Sequence, residues 1–387
     1  MCMHTQIPDA FQNPRASAAP AETASPSGRP TASDPDPQAM EAFGERIASA
    51  MNEGGMLLLL ALGDRTGLFE TLADHGPATS TELADTAGLE ERYVREWLHG
   101  LTVAGVLELQ ADDRFRLPPA HAALLTRSGG ENMAIYGQFL SMSASVEDDL
   151  VRCFHEGGGV PYERFERFHE IMAEDSAQTV LAVLEEHILP LAEGLHARLE
   201  TGIDVADLGC GRGRALHALA RRYPASRFVG WDLSEEAVQW ARERAREEGL
   251  TNVRFAVRDL TDFDATAPEN RFDLITTFDA VHDQAFPERL LGGIARALRP
   301  DGVYLMQDIQ AHSHVAENVD HPLGTFLYTL SLTHCMTVSL AQGGRGLGTM
   351  WGRETARELL AEAGFHDVAI HQLEHDVQND YYVVRHG

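Results

Sequence analysis

Three groups of residues in this 387-residue chain have the types and spacing to do chemistry. The first is Val205-Ala206-Asp207-Leu208-Gly209-Cys210-Gly211-Arg212-Gly213, an apolar stretch running into three alternating glycines. Glycines at a strand-to-helix turn tolerate positive φ and let a ligand approach the backbone closely. Asp232 ends the next apolar stretch and follows Gly213 by 19 residues. That is close to the ~20 at which a carboxylate grips ribose hydroxyls in a βαβ nucleotide site. The second group is Asp279-Ala280-Val281-His282-Asp283. Imidazole, with an ordinary pKa near ~6.5, can take a proton at neutral pH; a helix-capping or core histidine is the competing reading of His282. The third group, Asp308, His312, His314, Asp320 and His321, has metal-ligand residue types. No helical or strand register converges them. The segment reads as a loop meeting solvent or substrate, and no metal is expected.

Positioning the first two groups takes alternating strands and helices. The apolar pattern gives a strand at Ile203 to Leu208, a helix at Arg214 to Tyr223 and a strand at Arg227 to Asp232. Apolar stretches follow at Phe255 to Leu260, Phe272 to Asp279 and Val303 to Asp308. A helix at Glu354 to Ala363 and strands at Val368 to His371 and Tyr381 to Val384 close the chain. This half is an α/β fold of Rossmann-like type.

The N-terminal half reads differently. Residues 1–38 are rich in Pro, Ala, Ser, Thr and Asp, cannot bury enough surface to offset ordering entropy, and are expected to be disordered. Helical spacing begins with Glu41 to Asn52 and Met56 to Thr71. A short helix ends at Gly88, and Glu90 to Ala104 places Tyr93, Val94, Trp97, Leu98 and Leu101 on one face. Val106 to Leu117 reads as a hairpin with Asp112-Asp113 near its tip. Residues 128–197 form a helical connector with a loop at Gly157 to Tyr162, then Phe165, Phe168, His169 and Met172 on one helical face. The Gly-rich run Gln342 to Gly352 follows no strand and reads as a mobile loop over a ligand, with Met350 and Trp351 as walls.

The glycine spacing separates two cofactor classes. Dinucleotide sites use G-x-G-x-x-G to face a helix N-terminus toward a pyrophosphate. Here the pattern is acid-x-G-x-G-x-G, from Asp207 to Gly213. It resembles the first motif of class I S-adenosylmethionine (SAM)-dependent methyltransferases, whose cofactor has no phosphate. The resemblance extends over about residues 195–387. Phe255 to Leu260 is similar to the motif whose acid contacts adenine, Phe272 to Asp279 to the strand ending near the transferred methyl, and Leu298 to Gly302 to the turn before the fifth strand. The resemblance implies SAM as cofactor, held by Asp207, Gly209, Gly211, Gly213, Asp232, Leu233, Asp259, Leu260 and Asp279.

Helix, turn, helix and wing resemble a winged-helix domain, which opens many small-molecule O-methyltransferases of plants and bacteria and supports their dimerisation. The resemblance is nearest to a little-characterised bacterial group. It implies a homodimeric enzyme methylating a small apolar or aromatic molecule, most readily at oxygen, with His282 as general base in a His-Asp pair. It also implies Tyr162, His169, Met172 and Trp351 as substrate contacts. The expected organisation is tail 1–38, dimerising winged helix 39–127, connector and substrate roof 128–197, and SAM-binding domain 198–387. Sulfur or nitrogen acceptors stay open, as does a winged-helix regulator that senses SAM.

Composition narrows these choices. The formal net charge is −28, and all 31 basic residues are arginine, which excludes lysine Schiff-base and P-loop chemistry. Strong acidity opposes binding to a phosphate backbone, so no nucleic-acid partner is expected. In the second helix Glu90, Glu91 and Glu96 offset Arg92 and Arg95. Four cysteines without C-x-x-C spacing fit reduced intracellular thiols. No apolar run approaches the ~18–20 residues of a membrane span, and no secretory leader is legible. A soluble, cytoplasmic protein is expected.

Overall fold

The structure is a computed structural model and describes residues 35–129, 132–374 and 376–387. The expected disordered tail lies, up to residue 34, outside the described residues. The chain divides into two compact units, Met1–Ala50 and Met51–Gly387. Of the first, the described part is the entry into helix α1 (Pro37–Thr66).

The two helices expected before residue 71 have a different boundary. Helix α1 runs through Gly54-Gly55, and the chain breaks at Gly67, with φ 69°, before α2 (Leu68–His75). Glycine inside a helix costs only about 1 kcal/mol relative to alanine, too little to stop a helix without a proline or a cap. Gly67 instead takes the left-handed conformation that ends one.

Helix α3 (Ser80–Ala87) starts with a capping box between Thr79 and Glu82, and α4 (Glu91–Val103) follows. Strands β1 (Glu108–Leu109) and β2 (Phe115–Arg116) pair antiparallel as a short wing. Arg114 on the wing pairs with Glu82 on α3 at 2.8 Å. Leu60, Phe69, Leu72, Leu83, Leu98 and Leu101 form the core here. Trp97 Nε1 donates to the Leu59 carbonyl at 2.9 Å and so fixes α4 on the second half of α1.

Helices α5 (Pro119–Leu125), α6 (Ile135–Ala144), α7 (Glu147–Glu156) and α8 (Phe168–Ser176) lead through π-helical turns at Ala177–Leu181 and Leu184–Ile188 to α9 (Leu195–Thr201).

A seven-stranded sheet then forms from β3 (Asp204–Leu208), β4 (Arg227–Asp232), β5 (Val253–Val257), β6 (Phe272–Phe278), β7 (Leu298–Ile309), β8 (Phe365–His371) and β9 (Asn379–His386). Its order is β5-β4-β3-β6-β7-β9-β8. Strands β3 to β7 are parallel, and β9 runs antiparallel to β7 and β8. Val205 joins the core on one face, and Ala206 and Leu208 join the core on the other, as strand alternation requires. Helices α10 (Arg214–Arg222), α11 (Glu235–Glu247), α12 (Phe263–Thr266), α13 (Pro287–Ala297), α14 (Gly324–Leu330), α15 (Met336–Ala341) and α16 (Gly352–Glu362) complete the chain. Strand order reverses between β3 and β6, and a crevice for ligands opens at the carboxyl ends of strands at such a switch point.

Candidate active site

The glycine turn sits at that switch point. Gly209 and Cys210 donate their amides to the Trp231 carbonyl at 2.8 and 3.1 Å, tying the end of β3 to β4. The Asp232 carboxylate is fixed from both sides: Gly211 N donates to Oδ2 at 2.7 Å and Ser234 N to Oδ1 at 2.8 Å. An ionised carboxylate has about four lone-pair sites, so capacity for a ligand diol remains. Gly213, at φ 65°, has no room for a side chain, since a Cβ would lie 2.3 Å from the Phe255 ring. At Gly211 a Cβ would meet nothing, because the position opens into a cleft.

That cleft measures about 1210 Å³ up to its open mouth. All nine expected cofactor residues line it: Asp207, Gly209, Gly211, Gly213, Asp232, Leu233, Asp259, Leu260 and Asp279. Tyr162, His169 and Met172 line it from the connector. Leu233 is 49% exposed, an uncovered apolar surface suited to a flat base. Burial pushes the Asp207 carboxyl up to about 7, although Thr276 Oγ1 donates to it at 2.8 Å. Burial also lowers His169, whose Nε2 has no partner.

A second cavity of about 550 Å³, including its opening, lies alongside. Phe168, Met172, Asp279 and Asp283 line both spaces. His282 lines the second and is buried. Its Nδ1 donates to Asp308 Oδ1 at 2.8 Å, which leaves Nε2 as the proton-accepting nitrogen. Burial disfavours the imidazolium, but the Asp308 carboxylate and the neighbouring Cys335 together outweigh it and hold the His282 pKa well above its usual value. One ligand-type atom each of Asp279, His282 and Asp308 falls within 4.8 Å of the others. Asp279 reaches this point through a left-handed turn, φ 51°, at the end of β6.

Asp283, adjacent in sequence, accepts from Gln284 Nε2 at 3.2 Å, and burial pushes it up to about 6. Two expectations need correction. Trp351 is not a cavity wall: it is buried in the core between sheet and helices, and its Nε1 donates to Asp308 Oδ1 at 2.9 Å. The Gly-rich run around it is fastened to its surroundings, with Arg345 N donating to the Ala285 carbonyl at 2.9 Å and Gly346 N to Ser339 Oγ at 3.1 Å.

The third sequence group is dispersed. His312 Nδ1 pairs with Glu354 Oε1 at 2.8 Å, His321 Nε2 donates to the Gln310 carbonyl at 2.9 Å, His314 is exposed and Asp308 belongs to His282. Sequence reasoning missed the aromatic wall of Tyr136, Phe139 and Phe326 and the buried Asp175. For Asp175 a signal existed: it continues the helical face of Phe168 and Met172 by three residues.

Residues 199–337 match the model of a methyltransferase domain, and residues 54–127 match that of the Rv2258c-like winged HTH domain. Residues 199–337 thus carry a methyltransferase domain. Among curated proteins, the chain is 36% identical over 104 residues to the nocamycin O-methyltransferase of Saccharothrix syringae, covering 26% of this chain and 36% of that protein. It is 28% identical over 116 residues to the fatty-acid O-methyltransferase of Mycolicibacterium smegmatis, covering 30% and 40%. The match thus spans less than half the length of either relative. Among solved structures, human N-acetylserotonin methyltransferase in complex with SAM superposes with TM-score 0.66 and 20% identity, over 92% of this chain and 100% of that one. A mitomycin 7-O-methyltransferase superposes with TM-score 0.63 and 19% identity, over 90% and 99%. These two share the fold of this chain. Among the described residues, no helix is long and apolar enough to cross a membrane.

Proposed function

We propose that this protein transfers the methyl group of SAM to a hydroxyl of a small apolar or aromatic molecule, with His282 as general base. The observation that carries the reading is the buried His282–Asp308 pair, in a mostly apolar cavity that shares four lining residues with the cleft beneath the glycine turn.

SAM supplies an electrophilic methyl, which the acceptor takes in one in-line displacement. The residues present fit it. Asp232 accepts from the ribose hydroxyls, Leu233 and Leu260 flank the adenine, and Asp259 accepts from its amino group. Asp207 and the three glycines shape the methionine end. Tyr162, His169 and Met172 cover the cleft and exclude water. His282 takes the acceptor's proton at Nε2 while Asp308 holds the ring and stabilises the imidazolium.

In this reading residues 39–127 form a dimerisation domain, 128–197 roof the acceptor cavity and 198–387 bind SAM, in a cytoplasmic homodimer. A regulator reading finds no support on α4, where Arg92 pairs with Glu96 and Arg95 with Glu91.

The test is incubation of the full chain with SAM and a panel of phenols, alcohols, thiols and amines, followed by mass spectrometry for a methylated product. A methylated phenol or alcohol that His282→Ala no longer forms supports the proposal. Products confined to thiols or amines would move the acceptor to sulfur or nitrogen.

A further inference from the structure

The inner part of the acceptor cavity has a charge character that methyl transfer alone does not explain. Asp175, near the C-terminal end of α8, is 3% exposed and lines the cavity, and its Oδ1 has no hydrogen-bond partner. Asp279 Oδ1, in the same lining, has none either. Leaving such atoms buried and unpaired is costly unless a ligand meets them.

No lysine or arginine lines the cavity among the described residues. His282 gives Nδ1 to Asp308, whose carboxylate balances any charge on the ring. His334 stacks on Phe168 with ring centroids 3.9 Å apart, and burial pushes it down to about 3, so it carries no charge near neutrality. Burial pushes the Asp175 carboxyl up to about 7, the response of a carboxylate with no countercharge.

Tyr136, Phe139 and Phe326 stand in the same lining, with centroids 5.8 Å apart for Tyr136–Phe326 and 6.4 Å for Phe139–Phe326. Tyr136 also hydrogen-bonds Asp175. Aromatic faces attract a desolvated cation, and a carboxylate among them supplies its counterion.

We propose that the acceptor carries a basic nitrogen, an ammonium on an aromatic or apolar body, and that this ammonium binds Asp175 among Tyr136, Phe139 and Phe326. The inference rests on the methyl-transfer reading, because it takes this cavity as the acceptor site. Asp279, nearer His282, adds a second carboxyl to the path. A substrate presenting a neutral carbonyl to a protonated Asp175 is the competing occupant.

Calorimetry on the full chain saturated with S-adenosylhomocysteine tests it, using tyramine and its uncharged isostere 4-propylphenol as probes. Tyramine should bind at least about tenfold more tightly, as a charge-assisted contact requires. Asp175→Asn should remove that preference and leave the affinities for 4-propylphenol and S-adenosylhomocysteine within about twofold, which also reports that the variant is folded. Equal or tighter binding of 4-propylphenol, a preference that survives Asp175→Asn, or binding of neither phenol would each overturn the inference while leaving methyl transfer standing. Failure to take up S-adenosylhomocysteine in the first titration would remove the reading and the inference together.

Discussion

Trp351 Nε1 donates to Asp308 Oδ1 at 2.9 Å, the same oxygen that accepts from His282 Nδ1 at 2.8 Å. The indole therefore acts on His282 through the carboxylate and lines neither cavity. Trp351→Phe removes one charge-assisted hydrogen bond to Asp308 Oδ1 and leaves more of the carboxylate's charge to act on His282. It should lower kcat about tenfold at neutral pH with SAM affinity unchanged. It should also shift the pH profile to higher pH, which loss of packing alone would not do. Steady-state kinetics with a calorimetric SAM titration checks both.

The pH dependence has a definite sign. His282 accepts a proton only when neutral, and Asp308 raises its pKa well above the ordinary ~6.5. kcat should therefore be low in mild acid and rise with pH, reaching half its plateau above ~6.5. Asp308→Asn removes the charge that favours the imidazolium, so the rising limb should move to lower pH. The plateau should also fall by about 10²–10⁴, because the ring loses its fixed tautomer. A kcat flat across this range on a hydroxyl acceptor would contradict the assignment.

The glycine turn separates stability from binding. At Gly213 a Cβ would strike the Phe255 ring, so Gly213→Ala should destabilise the protein by about 1–3 kcal/mol or more in urea unfolding. Gly211, at φ 52°, has open space, so Gly211→Ala should cost only the left-handed conformation, about 1–2 kcal/mol. Its added methyl enters the cleft and should weaken SAM more than stability. The reverse order of effects would show that the cleft is not where the cofactor binds.

Self-association should involve α1. In its first part Met40, Phe43 and Ile47 are exposed, and in its second part Leu58 and Leu62 are. Exposed apolar residues at helical spacing mark a surface that is covered in the assembled state. Light scattering should give a dimer for the full chain and a monomer for Leu58→Glu/Leu62→Glu. A dimer unchanged by the double substitution would place the interface elsewhere.

Much of the α/β half was legible in the sequence, because its signals are local. Each parallel strand is a short apolar run ending in a turn residue, and the spacing from Gly213 to Asp232 encodes one βαβ unit. The helix boundary at residue 54 was misread because two glycines look like punctuation, whereas only Gly67 adopts the conformation that ends a helix. The partner of His282 was not legible locally: Asp308 lies 26 residues further on and reaches Nδ1 because β6 and β7 are neighbours in the sheet. Trp351 looked like a loop residue and is core, since its indole nitrogen finds a buried carboxylate. The second cavity draws on α6, α8, α14 and a π-helical turn, Ser331–Cys335, and no single segment carries its pattern.

The central claim is that Asp232 and the glycine turn hold SAM. Calorimetric titration of S-adenosylhomocysteine into the full chain and into Asp232→Ala tests it most directly, with thermal melting as a check of folding. Two charge-assisted hydrogen bonds to the ribose, each worth about 1.5–3 kcal/mol, should be lost, so the variant should bind at least about tenfold more weakly. A wild-type protein that gives no binding heat, or a folded Asp232→Ala that binds as tightly as wild type, would contradict the account.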